Sequence, residues 1–401
     1  MMPLTIEQLE RYADVLLWGL KTARVTPFRK GNIVLLQYDL AALSLAEILF
    51  ARLIDMRLNP IQRMAMTSCM EKSFYTRANT QQLTFISPGD KPTYKKLDGR
   101  IFLRAPDFLT HLATVDPQNI AQAMVARKPL RELMDKREGK RLHGWTLCLL
   151  PTLELAAQAQ LSLEEYTAQV IKACYLDSED PVSKWQEIYQ EISVIKQWLN
   201  AMNVKYFHVD SEHTNLNISP GESRRWLGVS GHNIPSFELF LSPDWRGTEG
   251  VFYANQPSYR HGNYVAGVRL FFEQGHVVKV EVEQGEEFTK KQIAMDEGAR
   301  RVGEFSLTDR RFSRIDRFMA DTLFDENYGG EHGNCHIALG SSYADTFAGD
   351  MAQLDEAMKK TLGFNESALH WDLVNTEPKV VTAVLTTGER KVIYENGMFC
   401  C

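Results

Sequence analysis

The stretch IVLLQYDLAALSLAEILFARLIDMRLNPIQRMAM, residues 33–66, decides the fold class of the first half of this chain. Ile33–Tyr38 is a short β-rich run, set off by the turn residues Lys30-Gly31-Asn32. Ala41–Met56 follows with a strong helical pattern that stops before Asn59-Pro60, and Ile61–Met66 reads as a second buried strand. Strand, helix and strand at this spacing form a βαβ unit, and such units build parallel sheets. Upstream, Thr5–Thr22 sets Leu9, Tyr12, Leu16 and Leu20 near helical spacing. Downstream, Leu83–Ile86, Gly99–Leu103 and Gly144–Leu150 read as further strands, the last stopped by Pro151. Helices are expected over Pro117–Arg137, Leu163–Cys174 and Asp180–Met202; in the last, Trp185, Ile188, Ile192, Ile195 and Leu199 recur at three- and four-residue steps. No Gly-x-Gly-x-x-Gly follows the first strand and no Walker loop occurs, so a nucleotide-binding reading has no motif behind it.

The character of the chain changes near residue 203. Val204–Val209, Asn215–Ile218, Gly250–Tyr253, Tyr264–Phe272 and His276–Val282 are strand-like, with Gly and Pro clustered between them. Only Glu287–Gly298 and Phe312–Met319 read as helical in the middle of this half. The expected fold class is therefore α/β: an N-terminal α/β domain with a largely parallel sheet over residues 1–205, followed by a β-rich α+β domain over 206–401. A length of 401 residues suits two domains, and 44% hydrophobic with 24% charged residues is an ordinary globular composition. The net charge of −6 and the lack of a concentrated basic face argue against nucleic acid as a partner. Six scattered cysteines without a CxxC pair fit a reducing compartment. The glutamate-bearing start lacks the basic region and apolar core of a signal peptide, and no run approaches a membrane span, so the expected location is cytoplasmic, with no membrane partner.

The chemistry concentrates in Leu323–Tyr343, LFDENYGGEHGNCHIALGSSY, where Asp325, Glu326, Glu331, His332 and His336 stand among glycines. Carboxylates and imidazoles are common ligands of a catalytic divalent metal; the bland reading is a Gly-rich acidic surface loop. His370 and Asp372 lie two apart in the β-like run Leu369–Leu373, so both project from one face. Taken alone, that pair would more simply be the wet face of an edge strand. Glu238 and Glu304 each stand among apolar residues, where a carboxylate is expensive unless paired or metal-bound. Together these spots make a dinuclear centre plausible, although spacing alone does not bring them to one place. His208, His213 and His276 read as ordinary loop or strand residues, with His232 and His261 as weaker substrate-side candidates. Ser341-Ser342 is not in a nucleophile elbow and no cysteine has a histidine partner in sequence, so nucleophilic catalysis is the poorer reading.

These motifs resemble the thermophilic aminopeptidase T / aminopeptidase S family of dinuclear metallo-exopeptidases. The resemblance runs over most of the second half: Asn233-Ile234-Pro235 to Glu238-Leu239-Phe240, Glu283–Glu287, Asp296–Arg300 leading to Gly303-Glu304, then LFDEN, CHIALGSSY and HWD. It is weaker in the first half, at Pro151–Ala156 and Asp180-Pro181 to Trp185. It implies a catalytic domain with metal ligands Glu238, Glu304, His336, His370 and Asp372, and an active-site tyrosine at Tyr343. One ligand is ambiguous. The family's glutamate five residues before the histidine falls on Glu331 here, because Tyr328–Asn334 lengthens the segment after DEN; Glu331 is the expected ligand and Glu326 the alternative.

The implied activity is hydrolysis of the N-terminal peptide bond of short peptides, through a water bridging two divalent ions. Zinc, cobalt, manganese or magnesium would suit the donors. Glu304 is expected to bridge the ions, and Tyr343 to donate to the developing oxyanion. The resemblance also implies a homodimer. Two other classes compete: a different dinuclear metallohydrolase, such as an amidohydrolase or phosphoesterase, and a non-catalytic metal-binding scaffold.

Overall fold

The computed structural model describes residues 3–260 and 263–401. The chain divides into two compact units, residues 1–185 with 230–235, and residues 186–229 with 236–401.

The first unit opens with helix α1 (Ile6–Thr22), started by a capping box between Thr5 and Gln8. Its Leu9, Tyr12, Leu16 and Leu20 are all buried, as the spacing requires. Strand β1 (Ile33–Tyr38), helix α2 (Leu43–Asp55) and strand β2 (Asn59–Met64) make the expected βαβ unit. They are joined by β3 (Gly99–Arg104), β4 (Gly144–Leu149) and the short Asn233–Ile234 strand. Every pair in this five-stranded sheet is parallel, in the order β2-β1-β3-β4 and then Asn233–Ile234. Gly231, at φ +83°, lies against Gly19; a Cβ there would stand 2.4 Å from the Gly19 carbonyl oxygen, so only glycine lets this return segment reach the sheet.

One expected strand of this unit is absent. Leu83–Ile86 is not a strand, because Asn79 and Gln82 form a capping box that winds Thr80–Leu83 into a helical turn.

The second unit is β-rich. A nine-stranded antiparallel sheet contains Val204–Ser211, Asn215–Ile218, Thr248–Ala254, Asn263–Glu273 and Lys379–Leu385 among its strands. The smaller sheet carries the chemistry. It is built from β5 (Glu238–Leu241), β6 (Val302–Thr308), β7 (Asn334–Gly340) and β8 (His370–Asn375), in the order β8-β7-β6-β5, and ends on Leu227–Gly228. All its pairs are antiparallel. Phe305 on β6 packs its ring 5.7 Å from those of Phe207 and Trp226, so one face of this sheet is core.

Two helical expectations differ here. Phe312–Met319 is irregular, because its backbone bonds outward: the Ile315 carbonyl accepts from the N–H groups of Gly329 and Gly330, and the Met319 N–H donates to Asp325. The Glu287–Gly298 helix is shorter, Glu286–Ile293. Past it, Asp296 takes the N–H groups of Ala299 and Ala368 and the hydroxyl of Ser367, which fixes a turn.

Candidate metal centre

Cross-strand register brings the site together. Glu304 on β6 faces Ala338 on β7, which faces Asp372 on β8. One step along, Phe240 on β5 faces Ser306, Ser306 faces His336, and His336 faces Val374. Directly paired residues share a face, and residues two apart on a strand share it too. Glu238, Glu304, His336, His370 and Asp372 therefore stand on one side of one sheet, with the short side chains of Ala338 and Ser306 leaving room between them.

The groups converge. His336 Nε2 lies 3.2 Å from Glu238 Oε2 and 3.4 Å from Glu304 Oε1. His370 Nε2 lies 3.6 Å from Glu304 Oε2 and 3.4 Å from Asp372 Oδ1. Two ligand groupings result, Glu238–Glu304–His336 and Glu304–His370–Asp372, each with donor atoms within 4.8 Å of one another. Glu304 belongs to both and turns a different oxygen to each. Glu238, Glu304 and His336 are buried; His370 and Asp372 are partly so, although β8 is the sheet's edge strand. The edge is not the wet face that the pair alone would suggest.

Burial and charge set the protonation. Burial, and after it the charge of Glu238, push Glu304 up to about 7 against the pull of His336. His336 rises well above its ordinary value despite burial, because Glu238 and Glu304 both face it. Burial works against charge at His370 and Asp372 as well, yet their attraction raises His370 to about 9 and holds Asp372 at about 2. So many acids around two imidazoles is a site short of positive charge.

The residues fit a divalent metal. His336 Nε2 is fully buried and has no hydrogen-bond partner among the described residues, although two carboxylate oxygens lie within 3.4 Å. The nitrogen and these oxygens face common space without an aligned hydrogen bond between them. The other ring nitrogens are held from behind: His370 Nδ1 donates to the Ser341 carbonyl at 3.0 Å, and His336 Nδ1 faces Asn334 Oδ1 at 3.4 Å. Outer partners of this kind leave Nε2 free to bind a metal. Ser306 Oγ donates to Glu238 Oε2 at 3.2 Å.

Glu331 is not brought to this cluster. Its side chain is 83% exposed and pairs loosely with His332, at 3.8 Å. Gly330 and Gly333 do not turn it inward: both have positive φ, and a Cβ on Gly333 would meet the Tyr394 hydroxyl at 1.9 Å, so the loop packs tightly there and runs outward. Glu326 is brought in instead. It is buried, and burial followed by the charges of Glu238 and Asp372 raise it well above the usual carboxylate range. Asn334 holds this segment by donating to the carbonyls of Glu326 and Tyr328 at 3.0 and 2.7 Å. The signal available in the sequence was the apolar pair Leu323-Phe324 before DEN, which buries that tripeptide.

Tyr343 stands at the rim. The residue is 44% exposed, and its ring lies 4.8 Å from the ring of His370 and 5.7 Å from that of Phe240. Desolvation, then the charges of Glu304 and Asp372, keep its phenol protonated well above the ordinary range. A pocket beside the cluster is lined by Gln256, Ser258, Thr322, Glu326, Asp372 and others. Elsewhere, His232 packs its ring, tilted, 4.4 Å from that of Trp145, and His213 pairs with Glu377, which Ser211 and Asn375 already satisfy. His261 lies outside the described residues.

Residues 5–399 match the family model described as thermophilic metalloprotease (M29). The chain belongs to that family. The resemblance carried by the motifs is thereby borne out over nearly the whole length. Among curated relatives, aminopeptidase AmpS of Bacillus subtilis (strain 168) is 29% identical over 266 residues, and aminopeptidase T of Thermus thermophilus 31% identical over 266 residues. Each match covers 63% of this M29 chain and 62% of the relative, so the aligned part spans somewhat less than two thirds of those proteins. Among solved structures, wild-type AmpT from Thermus thermophilus matches with a TM-score of 0.78 at 22% identity, over 98% of this chain and 99% of that one, which shows a shared fold.

Proposed function

We propose that this M29 chain is a metal-dependent aminopeptidase that hydrolyses the N-terminal peptide bond of short peptides with two divalent ions bound. The observation that carries the reading is Glu304, shared between the Glu238–His336 and the His370–Asp372 groupings with one oxygen toward each. In this reading Glu238, Glu304, Glu326 and His336 would hold one ion and Glu304, His370 and Asp372 the other, with Glu326 in the place expected of Glu331. Zinc, cobalt, manganese and magnesium all suit such a donor set. When bound, the ions supply Lewis-acid polarisation of a carbonyl and a water acidic enough to ionise near neutral pH.

The chain's own residues supply the rest. His370, held through Nδ1 by the Ser341 carbonyl, turns Nε2 toward Glu304 and Asp372, where loss of its proton would free it to bind an ion. Burial of Glu238 and Glu304 keeps water off their charges and strengthens every interaction they make. Tyr343 is fixed by its backbone N–H on Ser242 Oγ and its carbonyl on Thr346 Oγ1. As a protonated donor it stabilises the carbonyl oxygen as that oxygen gains charge. Cleavage restricted to the N-terminus is supported by the relatives, which are named aminopeptidases.

A homodimer and a cytoplasmic location belong to the same reading; six free cysteines agree with a reducing compartment. Among the described residues no helix is long and apolar enough to cross a membrane. The test is hydrolysis of an aminoacyl-nitroanilide by the purified chain. Chelator should abolish it and Co²⁺ or Zn²⁺ restore it; turnover unaffected by exhaustive chelation would overturn the reading, and hydrolysis of phosphate esters alone would replace it.

A further inference from the structure

The side chain of Asn327 joins two of the acids around the site. It is completely buried. Its Oδ1 accepts the backbone N–H groups of Phe237 at 2.6 Å and Glu238 at 3.2 Å, where β5 begins. Its Nδ2 donates to the Leu323 carbonyl at 3.0 Å and reaches Glu326 Oε1 at 3.5 Å. A carboxamide has two acceptor and two donor positions, and here all four are directed. Its own carbonyl oxygen accepts the Ser313 hydroxyl, which anchors the residue from behind.

The neighbouring residues of the tripeptide have different tasks. Asp325 closes the preceding turn by accepting the N–H groups of Met319 at 2.7 Å and Asp321 at 3.0 Å. Glu326 projects among the ligands. Asn327 is thus the covalent neighbour of one acid and the hydrogen-bond partner of another's backbone, carried on a strand 89 residues away. Two buried carboxylates with like charge tend to move apart, and that tendency is opposed where the backbones that carry them are tied together. A neutral amide does this without adding charge. An aspartate of the same shape would keep the acceptor, lose both donors and bring a further negative charge.

We infer that Asn327 is a positioning residue that holds Glu238 and Glu326 at the separation needed by the ion of the Glu238–Glu304–His336 grouping. The inference rests on the metal-centre reading above and goes beyond it in assigning a role to a residue that offers no ligand atom. It also predicts selectivity: the ion of the His370–Asp372 grouping, which Asn327 does not touch, should be spared.

The test is calorimetric titration of the full, chelator-stripped chain with Co²⁺ alone. Outer residues that orient metal ligands typically contribute about 10–100-fold in affinity. Asn327→Asp is expected to weaken one of two bound ions by about that factor and to leave the other within about threefold. The melting temperature of the metal-free chain is read alongside, since a merely structural role would lower it without separating the two sites. Asn327→Ser, which shortens the contacts without adding charge, is expected to weaken the same ion and decides the question should Asn327→Asp not fold. If both ions are weakened equally, or neither is, the assignment of Asn327 is overturned. His336→Ala keeps this failure distinct: if that variant still binds two ions as the parent does, the metal-centre reading itself is wrong.

Discussion

His336 Nε2 and Glu238 Oε2 lie 3.2 Å apart and buried, yet the nitrogen has no hydrogen-bond partner among the described residues. Alignment, not distance, is what the pair lacks, and a hydrogen bond weakens steeply when misaligned. A buried polar atom left in this way is costly unless something else satisfies it. The same nitrogen faces Glu304 at 3.4 Å, and Glu304 faces His370 with its other oxygen at 3.6 Å. Glu304→Gln should therefore do more than remove one charge. It replaces an oxygen that serves one grouping with an amide that cannot, and kcat/KM on an aminoacyl-nitroanilide should fall by about 10³-fold or more, beyond the 10²–10³ typical of a single lost transition-state donor. The metal-free protein should lose little stability, because neutralising Glu304 removes the burial penalty on its charge and then its repulsion from Glu238, which together outweigh the pull of His336. Activity within about tenfold of the parent would contradict the shared role.

Glu326 and Glu331 separate cleanly by substitution. Glu326 is buried beside Glu238 and Asp372, whereas Glu331 is an exposed loop acid. Glu326→Gln is expected to weaken metal binding and activity by about 10²-fold or more, since losing a ligand should cost at least the upper end of what an orienting partner costs. Glu331→Gln should change both by less than about twofold, in line with surface substitutions generally. Steady-state kinetics at limiting and saturating Co²⁺ would show the contrast, and a reversed order would restore Glu331 as the ligand.

How far the sequence carries can be seen in these two acids. The first half was legible in part: Ile33–Tyr38 is an apolar run and appears with unchanged bounds, and α1 has a clear stripe and differs by a residue at its start. By contrast, β2 is the edge strand with none of its residues fully buried, not the buried strand expected over Ile61–Met66. His370 and Asp372 were legible as a pair because strand alternation is local. Glu331 lies apart from the cluster although the count back from His336 points to it, because such a count treats the chain as a ruler. In the fold, Glu331 stands at the exposed point of a loop whose Gly329 and Gly333 are buried, Gly333 close against Tyr394, and the count no longer measures distance. The register that places Glu304, Ala338 and Asp372 in one row is a match across three strands, and no local pattern encodes it. Phe312–Met319 failed for a similar reason: its apolar spacing is helical, but its backbone partners lie in the 325–330 segment.

Tyr343 should act on turnover rather than on binding. Burial and then the surrounding carboxylates hold its phenol protonated well above the ordinary range, so it is a donor near neutral pH. Tyr343→Phe keeps the ring beside His370 and Phe240 and removes only the hydroxyl. Loss of one oxyanion donor typically lowers kcat by about 10²–10³-fold, with KM little changed. Metal content should match the parent's. A variant that lost KM instead, or lost its metal, would move Tyr343 from a donor to a binding or structural residue.

Lys379 gives a prediction away from the site. It is 4% exposed, and its Nζ finds no hydrogen-bond partner among the described residues. Burial lowers it to about 8, only partly offset by the charges of Cys335 and Glu377. Relative to an unfolded lysine near 10.4, such a drop amounts to roughly 3 kcal/mol of destabilisation while the group is protonated in both states. Below about pH 8 that penalty is complete and constant. Between pH 8 and about 10.4 the unfolded chain binds a proton that the folded chain does not, so stability from this group rises with pH; above that window the lysine is neutral in both states and the penalty is gone. Lys379→Met should therefore be the more stable protein at pH 7, by roughly 1–3 kcal/mol, as when a buried charge gives way to an apolar residue of similar volume. Its advantage over the parent should shrink as pH rises from 8 to 10.4. Thermal unfolding of parent and variant across that range measures the difference directly and cancels every other titrating group. An advantage that is absent at pH 7, or that grows with pH, would mean that the ammonium has a partner the fold depends on.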